Sequence, residues 1–514
     1  MANLLDEASI LLTPTAYNNG SMLAVKPENG DGDFTFSRNS AATRVNAQGL
    51  VENVQILSSN LVSNGDFSQG GQDWAFSSGA SLTDLGAKIT HTPTAGSVSQ
   101  PSVLTIGKSY KLTYEITESV SGGLKFNSAV DASMVTTVGV HTKYLEADAT
   151  TISFSRTSSS NNDVTITNIS ILEITDDTDI PRIDYTDGCG SLLLEPQSTN
   201  GLNYSEPTSS ETSASGITYE SFNWAIGFTN CIKFGDNSQT RYRYFSGTIA
   251  NSTEYTISAF VIMDDLSEPI LGTGTDTGDL IFRVGGQSAT TGNQPNVNMG
   301  NNIYRLSSVI TSASGGGSTG LLKYAGQSNK GFRIVSFQVE QNSYATSYIP
   351  TSGAISTRLQ DIANNSGNAS LINSEEGVLY AEIATLANDL TNRFISISNG
   401  SKAERVEIGY SNVSNKIFAF SNVGNVNQCN ISFVLPNMLD YNKIALKYKL
   451  NDFSLWVNGV KVGVDLNASV SAENILNELA FDEGDGTDVF YSKTKALAVF
   501  PYLTDEQLTA LTTI

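Results

Sequence analysis

The sequence predicts an all-β protein built from several antiparallel sandwiches, with one short helix at the C-terminus. The chain has 514 residues, enough for three or four domains of ordinary size. Only 16% of the residues are charged, and 44 glycines accompany repeated Asn-Gly pairs, which favour strands joined by tight turns. Apolar side chains alternate with polar ones, most clearly in 110–117. Long helices are therefore not expected.

The charge balance and the apolar patterning exclude several kinds of partner. The chain has 51 acidic and 29 basic residues and a net charge of −22. Such a surface repels phosphate backbones on average, so we expect no nucleic-acid partner. No apolar run approaches the ~20 residues that span a bilayer, and the first residues lack the basic and apolar parts of a secretory signal. We expect neither membrane insertion nor signal-directed export.

Two segments, 58–177 and 200–345, have the order of features expected of divergent copies of one unit. Each has a polar opening, an early tryptophan, a central aromatic-rich strand and an alternating final strand. Antiparallel units of this size without helical segments usually form jelly rolls, so we expect two of them. Their predicted central and final strands are Lys108–Thr117, Val164–Ile174, Glu254–Met263 and Phe332–Glu340.

Residues 370–514 predict a third sandwich, which closes with a helix. Asn458-Gly459 is a strong hairpin signal because both residues tolerate positive φ. Thr504 followed three residues later by Gln507 forms a capping box, so we expect a helix over Thr504–Leu511. The predicted strands of this unit are Gly377–Ile383, Arg393–Ser398, Arg405–Tyr410, Lys416–Phe420, Lys443–Lys449, Phe453–Val457 and Leu497–Phe500.

Three boundary segments carry a further signal: Phe34–Glu52, Ile180–Asn200, and Ala345–Thr351 with Arg358 and Asp361. Together they resemble a segment that recurs in bacteriophage virion fibre and head-spike proteins. The resemblance implies that 1–57 docks to the particle, that 178–199 connects two domains and that 346–369 is a linker. In that family the first two segments can be nearly contiguous. We therefore interpret 58–177 as a domain inserted at a surface turn between Val54 and Ile180.

Further resemblances point to a ligand class. The opening Asn64–Phe67 with Trp74 makes the jelly rolls look like carbohydrate-binding modules, and the hairpin 453–459 with the closing helix makes the last unit similar to a concanavalin-like lectin sandwich. These resemblances imply a head spike, head fibre or tail fibre that binds host-surface glycans for adsorption. The implied partners are other virion proteins (capsid, portal or tail) and further copies of the chain, with a homotrimer expected. The implied location is the virion.

Three cysteines bear on where the chain is assembled. Cys189, Cys231 and Cys429 are far apart in the sequence, which fits neither a disulfide framework nor a paired-cysteine zinc site. Assembly in a reducing compartment, the host cytoplasm, is the simpler interpretation.

Aromatic side chains are the candidate glycan contacts, because a flat ring covers the apolar face of a sugar. Trp74, Trp224 and Trp456 are the only tryptophans, one in each predicted sandwich. Each could instead pack in the core, and Trp456 could either cover a second core or face solvent. Tyr242 and Tyr244 are spaced by two and share one strand face, which makes them a second candidate pair.

Signals for catalysis are weak, so we expect no enzymatic activity. The only histidines are His91 and His141, both in the inserted segment, which disfavours a nucleophile with a histidine base. Glu404 and Glu407 fall on opposite faces of a strand and are interpreted as solvated surface acids. A particle-borne depolymerase or glycosidase, which needs only two carboxylates, stays open as an alternative. So does a passive capsid decoration protein without a ligand.

One loop offers candidate calcium ligands. Asp482, Asp485 and Asp488 place carboxylates close together in a glycine-containing turn, as Ca²⁺ prefers. Their spacing is not that of an EF-hand, and an ordinary acidic turn is the competing interpretation. No other cofactor is expected.

Overall fold

The chain divides into two compact units in the computed structural model. One unit is Gln55–Asp177, and the other combines Met1–Val54 with Thr178–Ile514. The structure describes residues 4–91, 95–129, 132–157, 161–207, 213–222, 224, 226–228, 230–235, 240–274, 278–290, 292–326 and 328–514. Within these ranges the named strands pair antiparallel, and one α-helix, α1 (Asp505–Thr512), accompanies a 3₁₀ turn at Leu5–Glu7. The predicted all-β fold is confirmed.

Six short strands lie in residues 4–54 and belong to the larger unit. They contribute buried apolar side chains, among them Leu12, Met22 and Phe34, to the same core as the C-terminal sandwich. The strands are β1 (Ile10–Leu12), β2 (Tyr17–Asn18), β3 (Ser21–Met22), β4 (Phe34–Ser37), β5 (Thr43–Val45) and β6 (Val51–Asn53).

The unit Gln55–Asp177 is a sandwich of two antiparallel sheets with its own core. Alternate side chains of β12, from Tyr110 to Ile116, are buried against Val98, Phe126 and Phe154 of the other sheet. The strands are β7 (Ile56–Leu57), β8 (Ala75–Phe76), β9 (Ala80–Thr83), β10 (Gly86–Thr90), β11 (Ser97–Gln100), β12 (Ser109–Ser121), β13 (Leu124–Phe126), β14 (Gly139–Glu146), β15 (Ile152–Arg156) and β16 (Asp163–Asp176). The larger sheet has the order β14-β12-β16-β10-β9, with β7 also on β16, and the smaller has the order β13-β15-β11-β8.

A second sandwich follows within the larger unit. The strands from Arg182 onward are β17 (Arg182–Asp184), β18 (Ser191–Leu193), β19 (Ser198–Asn200), β20 (Ser213–Ser215), β21 (Ile217–Ser221), β22 (Asn230–Phe234), β23 (Arg241–Tyr244), β24 (Glu254–Met263), β25 (Ile281–Val284), β26 (Gln287–Ser288), β27 (Val297–Asn298), β28 (Ile303–Thr311), β29 (Gly320–Lys323) and β30 (Phe332–Glu340). Its sheets have the orders β27-β28-β24-β30-β22-β21 and β20-β23-β29-β25-β26.

The two sandwiches share one strand order. In the larger sheets, β14-β12-β16-β10-β9 corresponds to β28-β24-β30-β22-β21, and in the smaller sheets β13-β15-β11-β8 corresponds to β25-β29-β23-β20. Every strand of this set therefore has a counterpart at the same place in the chain order. The outer face of β13, β15 and β11 is equivalent to the outer face of β25, β29 and β23.

The third sandwich ends with the expected capped helix. Thr504 accepts a hydrogen bond from the backbone of Gln507, whose side chain in turn accepts from the backbone of Thr504, so the capping box is present. The remaining strands are β31 (Ser356–Arg358), β32 (Ile362–Asn364), β33 (Glu376–Thr385), β34 (Arg393–Ser398), β35 (Arg405–Tyr410), β36 (Lys416–Val423), β37 (Val426–Val434), β38 (Asn442–Lys449), β39 (Phe453–Val457), β40 (Val460–Asp465), β41 (Glu478–Ala480) and β42 (Ser492–Phe500). No helix in the described part of the chain has the length and apolar character needed to cross a membrane.

The segments expected to be a docking arm, a connection and a linker are packed into the larger unit. The eight-stranded sheet β17-β18-β42-β33-β38-β39-β40 also takes β1 on β42, so three of its strands come from outside 370–514. β32 pairs with β4, and β31 pairs with β19. Strands from these segments thus complete the third sandwich. The sequence did not predict them, because three-residue strands are too short to show alternation.

Both ends of the inserted unit are anchored near the same short segment. The Val54 amide donates to the Ala42 carbonyl, and Asp179 Oδ1 accepts from the Asn39 amide at 2.8 Å. We predict that deleting 55–177 and joining Val54 to Thr178 leaves the rest of the chain folded. Differential scanning calorimetry of the deletion variant should retain the cooperative transition of the larger unit. Loss of that transition would show that the larger unit does not fold without the inserted unit, and would contradict the insertion model.

Candidate functional site

All three tryptophans lie in the protein core. Their exposed fractions are 7% for Trp74, 1% for Trp224 and 5% for Trp456. The Trp74 indole donates to the Asn64 carbonyl at 3.0 Å, which anchors the opening loop of the inserted unit. These rings are enclosed by apolar side chains, for Trp224 and Trp456 partly from the boundary and N-terminal segments, and present no open face to a sugar.

Trp456 shows why the alternation in its strand was ambiguous. Its ring packs with Leu503, Leu508 and Leu511 in a second core beneath α1, on the sheet face opposite Leu455. The sequence left open whether Trp456 covers a second core or faces solvent, and the structure places it in the second core. The predicted stacking platform is therefore covered by the helix.

Tyr242 and Tyr244 form a half-buried stacked pair on β23. Their ring centroids are 4.7 Å apart and their planes differ by 21°. Arg243, between them, points to the opposite face, where it is buried and its guanidinium lies 4.8 Å from the Phe245 ring centroid. Because Phe245 belongs to the core of the second sandwich, the tyrosines lie on the outer face of the smaller sheet.

Arg283 lies on the same outer face as the tyrosine pair. Gly320 of β29 is the register partner of both Tyr244 and Arg283, so it places no side chain between them. A Cβ on Gly320, whose φ is +148°, would come within 2.1 Å of the Arg243 carbonyl oxygen. The Arg283 Nε donates to the Gly286 carbonyl at 3.0 Å, and no ion pair joins Arg283 to a carboxylate in the described ranges. We call Tyr242, Tyr244 and Arg283 the tyrosine face.

The boundary segments meet in a buried chain of charges, which the sequence did not reveal. Its members alternate in sign and are each at most 3% exposed: Arg38, Asp361, Arg182, Glu195 and Arg358. Arg38 Nη1 lies 3.2 Å from Asp361 Oδ1, and Arg182 pairs with the other oxygen of Asp361. Arg182 also bonds Glu195 at 2.5 Å, and Arg358 Nη1 lies 3.0 Å from the same carboxylate.

The charges in this cluster are held by one another and by backbone groups. The Glu195 amide donates to Asp361 at 2.8 Å, and Arg38 donates to the Ile180 carbonyl at 3.0 Å. Burial alone would raise the pKa of Glu195, but Arg358 and Arg182 hold it well below its usual range. Burial lowers the pKa of Arg38 to about 10, so it stays protonated at neutral pH. The cluster therefore joins 34–52, 180–200 and 345–361 into one core element.

A partly open cavity of about 280 Å³ borders this cluster. The charged groups that line it are already bonded within the chain. Asp184 accepts from the Val45 and Thr186 amides at 2.9 and 3.0 Å, and Arg305 donates to the Thr346 carbonyl at 2.5 Å. The cavity thus belongs to the charged core.

Glu407 corrects the prediction of two solvated surface acids. It is 1% exposed and bonds Arg405 at 2.7 Å, while Arg405 also bonds Glu483 of the 482–488 loop at 2.9 Å. Burial raises the pKa of Glu407 to about 8, despite Arg405. Glu404 precedes β35 and accepts from the Gly424 amide and the Ser471 hydroxyl, both at 2.7 Å.

The candidate calcium loop hydrogen-bonds to itself. Asp482 accepts from the Gly484 amide at 2.6 Å, and Asp485 accepts from the Thr487 amide and hydroxyl. Among the residues that the structure describes, Asp482, Asp485 and Asp488 included, no group of three or more His, Cys, Asp or Glu side chains could hold a metal ion. Calcium binding stays a prediction.

Comparisons with known proteins identify no family for this chain. No protein-family model matches it, and no curated protein matches it. Among solved structures, it is similar to the N-terminal CBM22-1–CBM22-2 tandem domain of Xyn10C from Paenibacillus barcinonensis, at 13% identity over 56% of this chain and 98% of that one. The TM-score is 0.18, which carries no argument about fold or function.

Proposed function

We propose that this protein binds host-surface glycans without consuming them, as a structural component of a bacteriophage particle. The observation that carries the glycan half of the proposal is the stacked, half-buried pair of Tyr242 and Tyr244 on an outer sheet face. The two rings cover each other's facing sides, so a sugar would stack on an outer ring face of the pair, while the phenol hydroxyls and the Arg283 guanidinium supply hydrogen bonds to sugar hydroxyls.

The particle half of the proposal rests on the boundary segments. They resemble those of virion fibre and head-spike proteins, and residues from all three meet in the buried charged cluster. A component of this kind would be assembled in the host cytoplasm and held on the capsid, portal or tail by other virion proteins. Electron microscopy of particles carrying a labelled copy of this chain tests that location. Particles that assemble without the label would contradict it.

A homotrimer is the proposed assembly. A single sugar site of this kind is weak, because sugar hydroxyls exchange water hydrogen bonds for similar ones with the protein. Several copies on one particle raise avidity by roughly 10²–10⁴ when the geometry lets them engage together. Multi-angle light scattering should therefore report three chains, and a monomer of 54.8 kDa at micromolar concentration would contradict the trimer.

A glycan array with a hydrolysis assay separates this function from its alternatives. We predict that the full chain binds a subset of bacterial surface oligosaccharides and releases no reducing sugar from them. Release that stops when Glu407 is replaced by Gln would instead establish a depolymerase or glycosidase. Binding to no oligosaccharide of the host surface would instead support a passive decoration protein.

A further inference from the structure

We propose that the inserted unit carries a second glycan site, and that this site recognises negatively charged saccharides. The site is a groove of about 320 Å³ on the outer face of β13, β15 and β11. This face is the counterpart, in strand order, of the tyrosine face of the second sandwich. The groove and the tyrosine face lie in different compact units, so the groove is a site beyond the proposed function. The inference rests on the proposed function only for the choice of saccharides as ligands.

The groove is built from hydrogen-bonding side chains. Asn127 Nδ2 donates to the hydroxyls of Ser153 and Ser155, at 3.1 and 2.9 Å, so the amide and both hydroxyls are held in place together. Ser97 and Ser155 are register partners and share the outer face. No aromatic side chain of the described residues lines the groove, so we expect ligand recognition here to depend on polar contacts rather than on stacking.

The charge of the groove is opposite to that of the chain. Lys125 of β13 faces it, and no Asp or Glu among the described residues lines it, although the chain as a whole has 22 more acidic than basic residues. Lys125 is exposed and, in the described parts of the chain, has neither a hydrogen bond from its ammonium group nor an ion pair. An unpaired ammonium beside an ordered amide and two hydroxyls suits an anionic substituent on a polyhydroxylated ligand.

The tyrosine face has the same electrostatic character. In the described ranges Arg283 has no carboxylate partner, and the neighbouring side chains of the strand register are Tyr242, Leu322, Ile281 and Ser288, none of them an acid. Equivalent faces of two sandwiches thus each present a cation that has no acidic partner among the residues the structure describes, in a strongly acidic protein. A net charge of −22 repels anionic ligands from most of the surface. We therefore expect such a ligand to bind where the local charge is positive.

The test compares charged oligosaccharides with neutral versions of the same backbone, using the full chain. Oligogalacturonate and its methyl ester differ in the carboxylate, and phosphorylated and unphosphorylated mannan oligosaccharides differ in the phosphate. We expect binding to at least one charged member, weaker binding to its neutral counterpart, and weakening at high salt. Lys125→Gln should lower that affinity about threefold, as expected for one exposed ion pair.

Lys111→Gln is the matched control, because it removes the same charge from the larger sheet of the same unit. Equal effects of Lys125→Gln and Lys111→Gln, equal binding to charged and neutral members, or no binding to either charged probe would each overturn the inference. Binding of neutral glycans that depends on Tyr242 and Tyr244 would then leave the proposed function intact. If binding of charged glycans requires Lys125 but neither Tyr242 nor Tyr244, the result would support the groove as a site and would contradict glycan binding at the tyrosine face.

Discussion

Asp361→Asn should destabilise the larger unit by about 3–5 kcal/mol, because it removes a buried negative charge and leaves its cationic partners in place. Asp361 is fully buried and pairs with both Arg38 and Arg182. An amide of the same shape keeps the packing but cannot balance two guanidinium groups. Calorimetry of the full chain should show the transition of the larger unit at a lower temperature and the transition of Gln55–Asp177 unchanged.

Asp265→Asn is the control, since it makes the same chemical change in an ion pair at the surface. Asp265 bonds Lys330 at 3.0 Å, and both side chains are more than a third exposed, so the transition should stay in place. A shift for Asp265→Asn equal to that for Asp361→Asn would contradict the structural role of the buried cluster.

The stabilising contribution of the same cluster should decrease at acidic pH. The folded-state pKa of Glu195 lies below its ordinary value of 4.5, so its stabilising contribution is present above pH 4.5 and is lost as pH falls below that value.

Trp456→Ala should destabilise the third sandwich by about 3–5 kcal/mol, the usual cost of truncating a large buried aromatic side chain. The ring is 5% exposed and packs beneath α1, and its indole donates to the Ser454 hydroxyl at 3.1 Å. Truncation leaves a cavity under the helix, so amide exchange in α1 should accelerate. Hydrogen exchange measured by mass spectrometry on the full chain tests this directly.

Trp456→Phe gives the intermediate case, because it keeps an aromatic ring in the second core. Its loss of stability should be smaller than that of Trp456→Ala, and glycan affinity should be unchanged in both variants below their transitions. A loss of affinity with unchanged amide exchange in α1 would show that Trp456 contacts ligand after all.

Long half-buried strands were predictable because one face is polar and the other apolar. Glu254–Met263 and Phe332–Glu340 have the predicted bounds, and the helix differs from its prediction by one residue at each end. Short strands buried on both faces were not predictable. β17 and β18 have three residues each, all buried, so they show no alternation.

The buried cluster illustrates a second limit. Arg38 and Asp361 are separated by 323 positions, and in the sequence each looks like an ordinary polar residue of a turn. Only the fold brings the boundary segments together, so charge pairing over such distances leaves no local signal.

For the candidate site, the spacing of Tyr242 and Tyr244 correctly placed both rings on one strand face. The tryptophan assignments were harder, because a sheet covered on both sides buries both faces of its strands. The apolar residues Leu508 and Leu511 of the C-terminal helix were a usable signal that α1 must cover something.

The most direct test of glycan binding at the tyrosine face is the glycan affinity of a variant that lacks both tyrosine rings. Isothermal titration of the best array ligand into Tyr242→Ala/Tyr244→Ala, at a temperature where the variant is fully folded, should show binding at least about tenfold weaker than for the unchanged chain. Tyr219→Ala is the control, because Tyr219 is exposed on the larger sheet of the same sandwich. Equal affinity in the unchanged chain, the double variant and Tyr219→Ala would contradict glycan binding at the tyrosine face.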